Sequence, residues 1–305
     1  MQTLDKSLAM REVARRIERA SLADCPVVIW GEEGSGKRFA AKTIHRQSRR
    51  GSGPLVIVRS ETVAAGADSS QRMDEELFGT AQQPGKLAWA AGGTLLIDEI
   101  TALSPTAQAR LLEAAEGRVL FTSQDASKHR PDFRLMATTR FKLTESVQRG
   151  VLREDLHYRI GVVAIHVPPL RERPDDMPHL IGELLTEICA ERGTPVPAVD
   201  ADLVQFALDY PWPGNVAQLR DCLETMVRAG DASSLGVHHM QAALAECAGG
   251  FAAASSTQQV ATLSRLERAA VQHALDVHHG NRTRAARSLG ISVRTLQRKL
   301  RRWAT

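Results

Sequence analysis

From Pro26 to about Arg140 the chain alternates short apolar runs with helical patterns. PVVIW, PLVIV, GTLLIDEI and FRLMATT are strand-length apolar segments bounded by turn residues, and GVVAIHVPPL closes the series. Between them, RFAAKTIHRQ and TAQARLLEAAE carry apolar positions at three-and-four spacing. Strands buried on both faces read as continuous apolar runs, and parallel neighbours need crossovers, so the alternation predicts a parallel sheet wrapped by helices. Ahead of it, MQTLDKSLAMREVARRIERA predicts an amphipathic helix with Leu8, Val13, Ile17 and Ala20 on one side. From Pro174 to about Cys247 the pattern turns wholly helical, in DMPHLIGELLTEICAERG, DADLVQFALDY and NVAQLRDCLETMVRAG. Residues 248–262, AGGFAAASSTQQVAT, are small and polar without periodicity and read as a linker. Three helical segments follow, the second ending at Gly290 and the third opening at a Ser292 cap; a short helix, a glycine turn and a basic helix make a helix-turn-helix.

Composition adds limits. With 305 residues, 43% hydrophobic and 24% charged, the chain can bury two or three cores. No run of about 18 uncharged apolar residues is present to span a bilayer, and the N-terminus lacks the apolar core of a secretory signal. We therefore expect a cytoplasmic protein with no membrane partner. Cys25, Cys189, Cys222 and Cys247 are too dispersed for a metal cluster, and the adjacent pairs His238–His239 and His278–His279 point to different helix faces. Charge is unevenly placed. Residues 261–305 hold ten Arg and Lys against two acids, a net of +8, which leaves −4 for the rest of a chain whose total is +4. A basic end on an acidic body suits a polyanion-binding module, although a solvated helix face would give the same charge.

The segment VVIWGEEGSGKR carries the chemistry. A glycine-rich turn between a buried strand and a helix aims backbone N–H groups and the helix dipole at an anion. Gly31, Gly34 and Gly36 allow the tight path through Glu32, Glu33 and Ser35, Lys37 reaches outer phosphates, and Arg38 stands where many such loops place a magnesium-binding hydroxyl. About sixty residues on, GGTLLIDEI ends a strand in Asp98 and Glu99, a pair able to hold a magnesium shell and polarise water. ATP and Mg2+ are the expected cofactors.

GEEGSGKR, AAKTIHRQS, ELFG, GGTLLIDEI, REDLHYRI, VPPLRERPDD and YPWPGNV together resemble the AAA+ domain of sigma-54-dependent transcription activators, the bacterial enhancer-binding proteins. GNRTRAARSLGISVRTLQRKL is similar to their Fis-type DNA-binding domain. The resemblance implies a P-loop α/β subdomain over 1–173, a helical lid over 174–247, the linker, and a Fis-type helix-turn-helix domain over 263–305. It implies that Lys37 binds phosphates, Asp98 magnesium and Glu99 the hydrolytic water, with Thr139 as phosphate sensor. It also places Arg153 and Arg159 where arginine fingers reach a neighbouring subunit; an ion pair with Glu154 or Asp155 is the alternative reading. Partners implied are double-stranded DNA at a promoter or enhancer, RNA polymerase, and copies of itself from dimer to hexamer, or a mixed ring with a related activator, in the bacterial nucleoid.

In the recognition helix, Ser292, Arg294, Thr295 and Arg298 are candidates for base or nearby phosphate contacts, and Gln297 for an adenine. Thr283, Lys299, Arg301 and Arg302 suit phosphates. Leu289, Ile291, Leu296 and Leu300 suit the small core.

Four departures from the family pattern alter the expectation. ELFG is followed by TAQQPGKLAWAA, without the GAFTGA motif that touches sigma-54 and about a dozen residues too short to hold it. Ala217 replaces the lid arginine that senses γ-phosphate. Arg59 and Arg140 replace two asparagines, one that switches the catalytic glutamate and one after the sensor threonine. We expect no sensory region ahead of the AAA+ segment. The expected function is a DNA-binding transcriptional regulator with an ATP-binding core, weak at hydrolysis and not a conventional sigma-54 activator. The alternatives are an active ATPase that remodels another partner and a nucleotide-dead scaffold that dimerises the DNA-binding end.

Overall fold

The structure is a computed structural model that describes residues 7–59, 69–80, 83–117, 132–229 and 234–255. Chain contacts divide it into one unit from Met1 to Ala248 and a second from Gly249 to Thr305. The proposed DNA-contacting residues Thr283, Ser292, Arg294, Thr295, Gln297, Arg298, Lys299, Arg301 and Arg302 lie outside the described residues.

The first unit opens with helix α1 (Leu8–Leu22), strand β1 (Val27–Trp30), α2 (Lys37–Gln47), β2 (Leu55–Arg59), α3 (Ser69–Phe78) and α4 (Lys86–Trp89). It continues with β3 (Thr94–Asp98), α5 (Pro105–Ala115), β4 (Arg134–Thr139), α6 (Leu143–Gln148), α7 (Glu154–Ile160) and β5 (Val163–His166). The five strands form one parallel sheet in the order β2-β3-β4-β1-β5, so each apolar run of the sequence becomes a strand. Successive side chains leave a strand on opposite faces, and this splits each run between two cores. Val28, Val58, Leu95, Ile97, Leu135 and Ala137 face α5, α7 and the Leu77–Phe78 end of α3. Val27, Ile29, Leu96, Met136 and Ile165 face α1 and α2, meeting Val13, Ile17, Ala40 and Ile44. On α1 the buried stripe is Met10, Val13, Ile17 and Ala20; Leu8, expected on that side, is 79% exposed because, two residues before Met10 and five before Val13, it falls on nearly the opposite side of the helix.

The lid comprises α8 (Met177–Arg192), β6 (Ala198–Val199), α9 (Ala201–Asp209), α10 (Asn215–Arg228), β7 (Ser234–Leu235) and α11 (Val237–Ser255). Its core gathers Ile181, Leu185, Leu203, Leu219, Leu223 and Met240 around the fully buried Trp212. The Trp212 indole N–H donates to the Ala207 carbonyl at 2.7 Å, so burying the ring leaves no orphan donor. Helix α11 runs into the stretch expected to be a linker. Its alanines, FAAAS, have high helix propensity even where no apolar periodicity calls for packing.

Two buried contacts lock the start of the chain to the lid. Ser7 caps α1 by accepting from the Met10 N–H, while its own N–H and hydroxyl donate to Asp176 at 2.8 and 3.1 Å. Arg173, only 5% exposed, donates to the Ser35 carbonyl at 2.6 Å and contacts the Met10 sulfur.

After ELFG the chain closes a tight turn. The Gly79 N–H donates to Glu75 at 2.7 Å, the Thr80 N–H donates to Gln83 at 2.9 Å, and Gly79 bridges Pro84. The Gly79 and Gly85 backbones touch so closely that a Cβ on Gly85 would lie 2.3 Å from the Gly79 nitrogen. Lys86 clamps the turn, donating to Ile57 at 3.0 Å and pairing with Glu76.

Candidate nucleotide site

Strand β1 delivers the loop Gly31–Gly36 to the N-terminus of α2, and the insertion of β4 between β1 and β3 brings three strand ends to one edge. The Thr138 hydroxyl donates to Asp98 Oδ1 at 2.6 Å and accepts from the Glu99 N–H at 3.0 Å, so β4 fixes both acids. Glu99 pays for that position with a left-handed backbone, φ +64, which a non-glycine residue adopts only under constraint. Thr139 is fully buried, its carbonyl accepting from the Gly31 N–H at 3.2 Å. Lys37 turns its ammonium back onto the Gly31 and Glu32 carbonyls, each at 2.8 Å. Burial pushes the Lys37 pKa down, opposed by the charges of Glu99 and Asp98.

The substituted arginines converge on the acids. Arg38 Nε lies 3.3 Å from Asp98 Oδ2. Arg140 reaches Glu33 at 3.0 Å and faces Glu99 Oε2 at 3.7 Å, an ion-pair distance rather than a hydrogen bond. The other Glu99 oxygen accepts from the Thr101 hydroxyl. Arg59 ends β2 in register with Asp98, one strand outward.

The lid grips the loop from the other side. Buried Asn215, at the start of α10, donates to the Glu33 carbonyl at 2.8 Å and to Glu32 at 3.2 Å, while its side-chain oxygen accepts from the Leu170 N–H at 2.8 Å. Arg171 takes the Glu32 carboxylate in a two-pronged pair at 2.6 and 2.7 Å, and this, helped by Asn215, holds Glu32 below its usual pKa. The Val216 and Ala217 N–H groups point at the Gly34 carbonyl, at 3.0 and 3.3 Å. Between loop and lid lies a cavity of about 270 Å³ whose lining includes Met10, Val13, Phe39, Leu184, Val216 and Ala217.

Arg153 and Arg159 are engaged on α7 and away from the loop. Exposed Arg153 pairs with Asp155 at 2.7 Å, the ion-pair alternative, and Arg159 donates to the Ala115 carbonyl at 2.6 Å. Sequence reasoning assigned no role to Arg171, Arg173 or Asn215. Their signal lay in the LRER and PGN segments already noted, but their partners are 45 to 183 residues away. Among the described residues no cluster of His, Cys, Asp or Glu forms a metal site, and no helix is long and apolar enough to cross a membrane.

The sigma-54 interaction domain matches residues 3–166, over half of the chain. The AAA+ ATPase lid domain matches 171–273 and the Fis family of bacterial regulatory proteins 262–303. The chain belongs to the sigma-54-dependent transcription activator family. It is 32% identical over 306 residues to the transcriptional regulatory protein ZraR of Escherichia coli (strain K12), spanning 97% of this chain and 68% of ZraR. With the DNA-binding transcriptional regulator NtrC of Azospirillum brasilense it shares 30% over 335 residues, 98% of this chain and 68% of NtrC. The structure of NtrX from Brucella abortus in complex with ADP superposes with a TM-score of 0.70 at 29% identity, covering 98% of this chain and 68% of NtrX. The NtrX complex with ATP gives the same TM-score at 28% identity. This member of the activator family is thus a DNA-binding transcriptional regulator: a P-loop sheet with an AAA+ lid, followed by a Fis-type helix-turn-helix.

Proposed function

We propose that this regulator binds ATP in its AAA+ core, hydrolyses it slowly, and acts on DNA without remodelling the sigma-54 polymerase. The carrying observation is the pair of arginines set on the two acids of the site, Arg38 on Asp98 and Arg140 on Glu99. A water attacking the γ-phosphate needs Glu99 available to orient it and accept its proton. A guanidinium opposite that carboxylate competes for its oxygens.

The residues fit a nucleotide. The loop runs directly into the N-terminus of α2, whose dipole favours an anion, the cavity beside it is close to the lower bound of about 300 Å³ for ligand pockets, and the Ser35 hydroxyl is buried there without a partner. NtrX, which this chain resembles along nearly its whole length, was solved with ATP and with ADP. On binding, phosphate oxygens would take over the Lys37 ammonium from the Gly31 and Glu32 carbonyls. Asn215, Val216 and Ala217 would report the loop's shape to the lid through backbone contacts, in place of the charge missing at Ala217.

The closed turn at Gly79–Gly85 supports the loss of the sigma-54 contact, since the chain returns on itself where a projecting loop would have to begin. Exposed Tyr158 and Val162 flank Arg159 and supply apolar area for self-assembly, or for a mixed ring with a related activator carrying the loop. ATP would favour whichever assembly binds it better. A cytoplasmic site of action and contact with RNA polymerase follow from the same reading. Titration with a fluorescent ATP analogue is the test, with saturable binding expected; absence of binding would leave the core as a scaffold for the DNA-binding end.

A further inference from the structure

We propose that this site takes its nucleotide without a divalent cation, the Arg38 guanidinium neutralising phosphate charge where a magnesium ion would otherwise stand. The inference rests on the nucleotide-binding reading above. Magnesium demands near-octahedral oxygens at about 2.0–2.1 Å and gives up its waters reluctantly, so it needs carboxylate oxygens that face the phosphates and are open to it. Both oxygens of Asp98 are already engaged. Its Oδ1 accepts from the Thr138 hydroxyl at 2.6 Å and its Oδ2 faces Arg38 Nε at 3.3 Å. Glu99 is held between the Thr101 hydroxyl and Arg140. The donor set does not fit a metal shell.

The charge balance points the same way. Glu33, Asp98 and Glu99 carry three negative charges, and Lys37, Arg38 and Arg140 carry three positive ones, joined by the contacts above. Without the two arginines the same cluster would be doubly negative and would attract a divalent cation before it could accept a polyphosphate. With them it is already neutral. The arriving phosphates then share the guanidiniums with the carboxylates, and they meet a neutral cluster rather than a doubly negative one.

Position makes Arg38 fit for the exchange. It lies in the first turn of α2, the end of the helix that the loop presents to an anion, and its side chain is 49% exposed, so the guanidinium is not packed in place. Its planar fork of N–H donors matches two phosphate oxygens at once, whereas a glutamate here would repel them.

The experiment is titration of the fluorescent ATP analogue by anisotropy, in excess MgCl2 and in excess EDTA, on the unmodified protein, Arg38→Glu and Arg38→Gln. Melting curves verify that the variants fold. The unmodified protein is expected to bind in EDTA within about threefold of its Kd in magnesium, whereas Arg38→Glu loses about tenfold or more in EDTA and recovers when magnesium is added. Arg38→Gln, without the added negative charge, is expected to fall between the two. Binding by the unmodified protein that drops about tenfold or more on chelation, in parallel with the variants, overturns the inference and leaves the nucleotide reading standing. Binding in neither buffer overturns both.

Discussion

Replacing Gly34 by alanine tests the mechanical link between the phosphate loop and the lid. Gly34 has φ +71, and a Cβ built there lies 2.2 Å from the Gly214 carbonyl oxygen and 3.0 Å from the Ala217 Cβ. The left-handed conformation costs a non-glycine residue about 1–2 kcal/mol. Ordinary contact begins near 3.4 Å, so the start of α10 must withdraw by about 1 Å, the difference between that and the built contact. That movement takes the Val216 and Ala217 N–H groups, now 3.0 and 3.3 Å from the Gly34 carbonyl, out of hydrogen-bonding range. At about 1 kcal/mol for each bond, the total loss is about 3–4 kcal/mol. For a unit of this size each kcal/mol is worth about 2–4 °C, which makes the expected fall in Tm roughly 10 °C. Thermal melting reads the total, and amide hydrogen exchange at Val216 reads the local opening. A Tm within about 2 °C of the unmodified protein, with Val216 exchange unchanged, would refute the interlock.

Three other outcomes are expected. Arg140→Asn removes the guanidinium from Glu99 and Glu33, and phosphate release should rise by about tenfold, equivalent to about 1.4 kcal/mol off the barrier; an unchanged rate makes Arg140 a bystander. His45 is buried against the Thr94 hydroxyl at 2.9 Å, and its pKa is lowered from the ordinary 6.5, chiefly by burial. A depressed histidine means the unfolded chain binds the proton first, so Tm should fall as pH drops through 6.5 toward the folded pKa, less steeply in His45→Gln, though His166, shifted the same way, keeps part of the slope. In the DNA-binding end, Arg301→Ala should weaken binding to promoter DNA in gel shifts and flatten its salt dependence by about one unit, whereas an unchanged slope would remove Arg301 from the phosphate-contacting set.

The layers of this fold were open to sequence reading because the three inner strands, β1, β3 and β4, are buried on both faces. LVIV, TLLI and RLMATT could be recognised from composition alone, and their alternate residues then sort into two cores without further information. The strand order was not legible: nothing local to FRLMATT says that it inserts between β1 and β3, and only that insertion brings Thr138 onto Asp98. The departures at Arg38 and Arg140 were visible as single letters. Their meaning depended on distance, since Asp98 is reached by Arg38 from a neighbouring helix and Glu99 by Arg140 from a neighbouring strand end. Asn215 shows the limit most clearly. It stands in a short WPGN turn that reads as a helix start, yet its amide joins Glu32, Glu33 and Leu170, contacts that span 45 to 183 residues. Leu8 failed for a simpler reason, because its spacing from Met10 and Val13 does not fit the helical period and sets it across the helix from the buried stripe.

The central claim is that the site holds ATP while its acids are restrained by arginines. Steady-state phosphate release, measured on protein already saturated with ATP and beside a Glu99→Gln control, tests it most directly. The account predicts release slower than about 1 per second, the low end of ordinary enzymes, and slower still in the control. Release within the ordinary range that Glu99→Gln abolishes would contradict it.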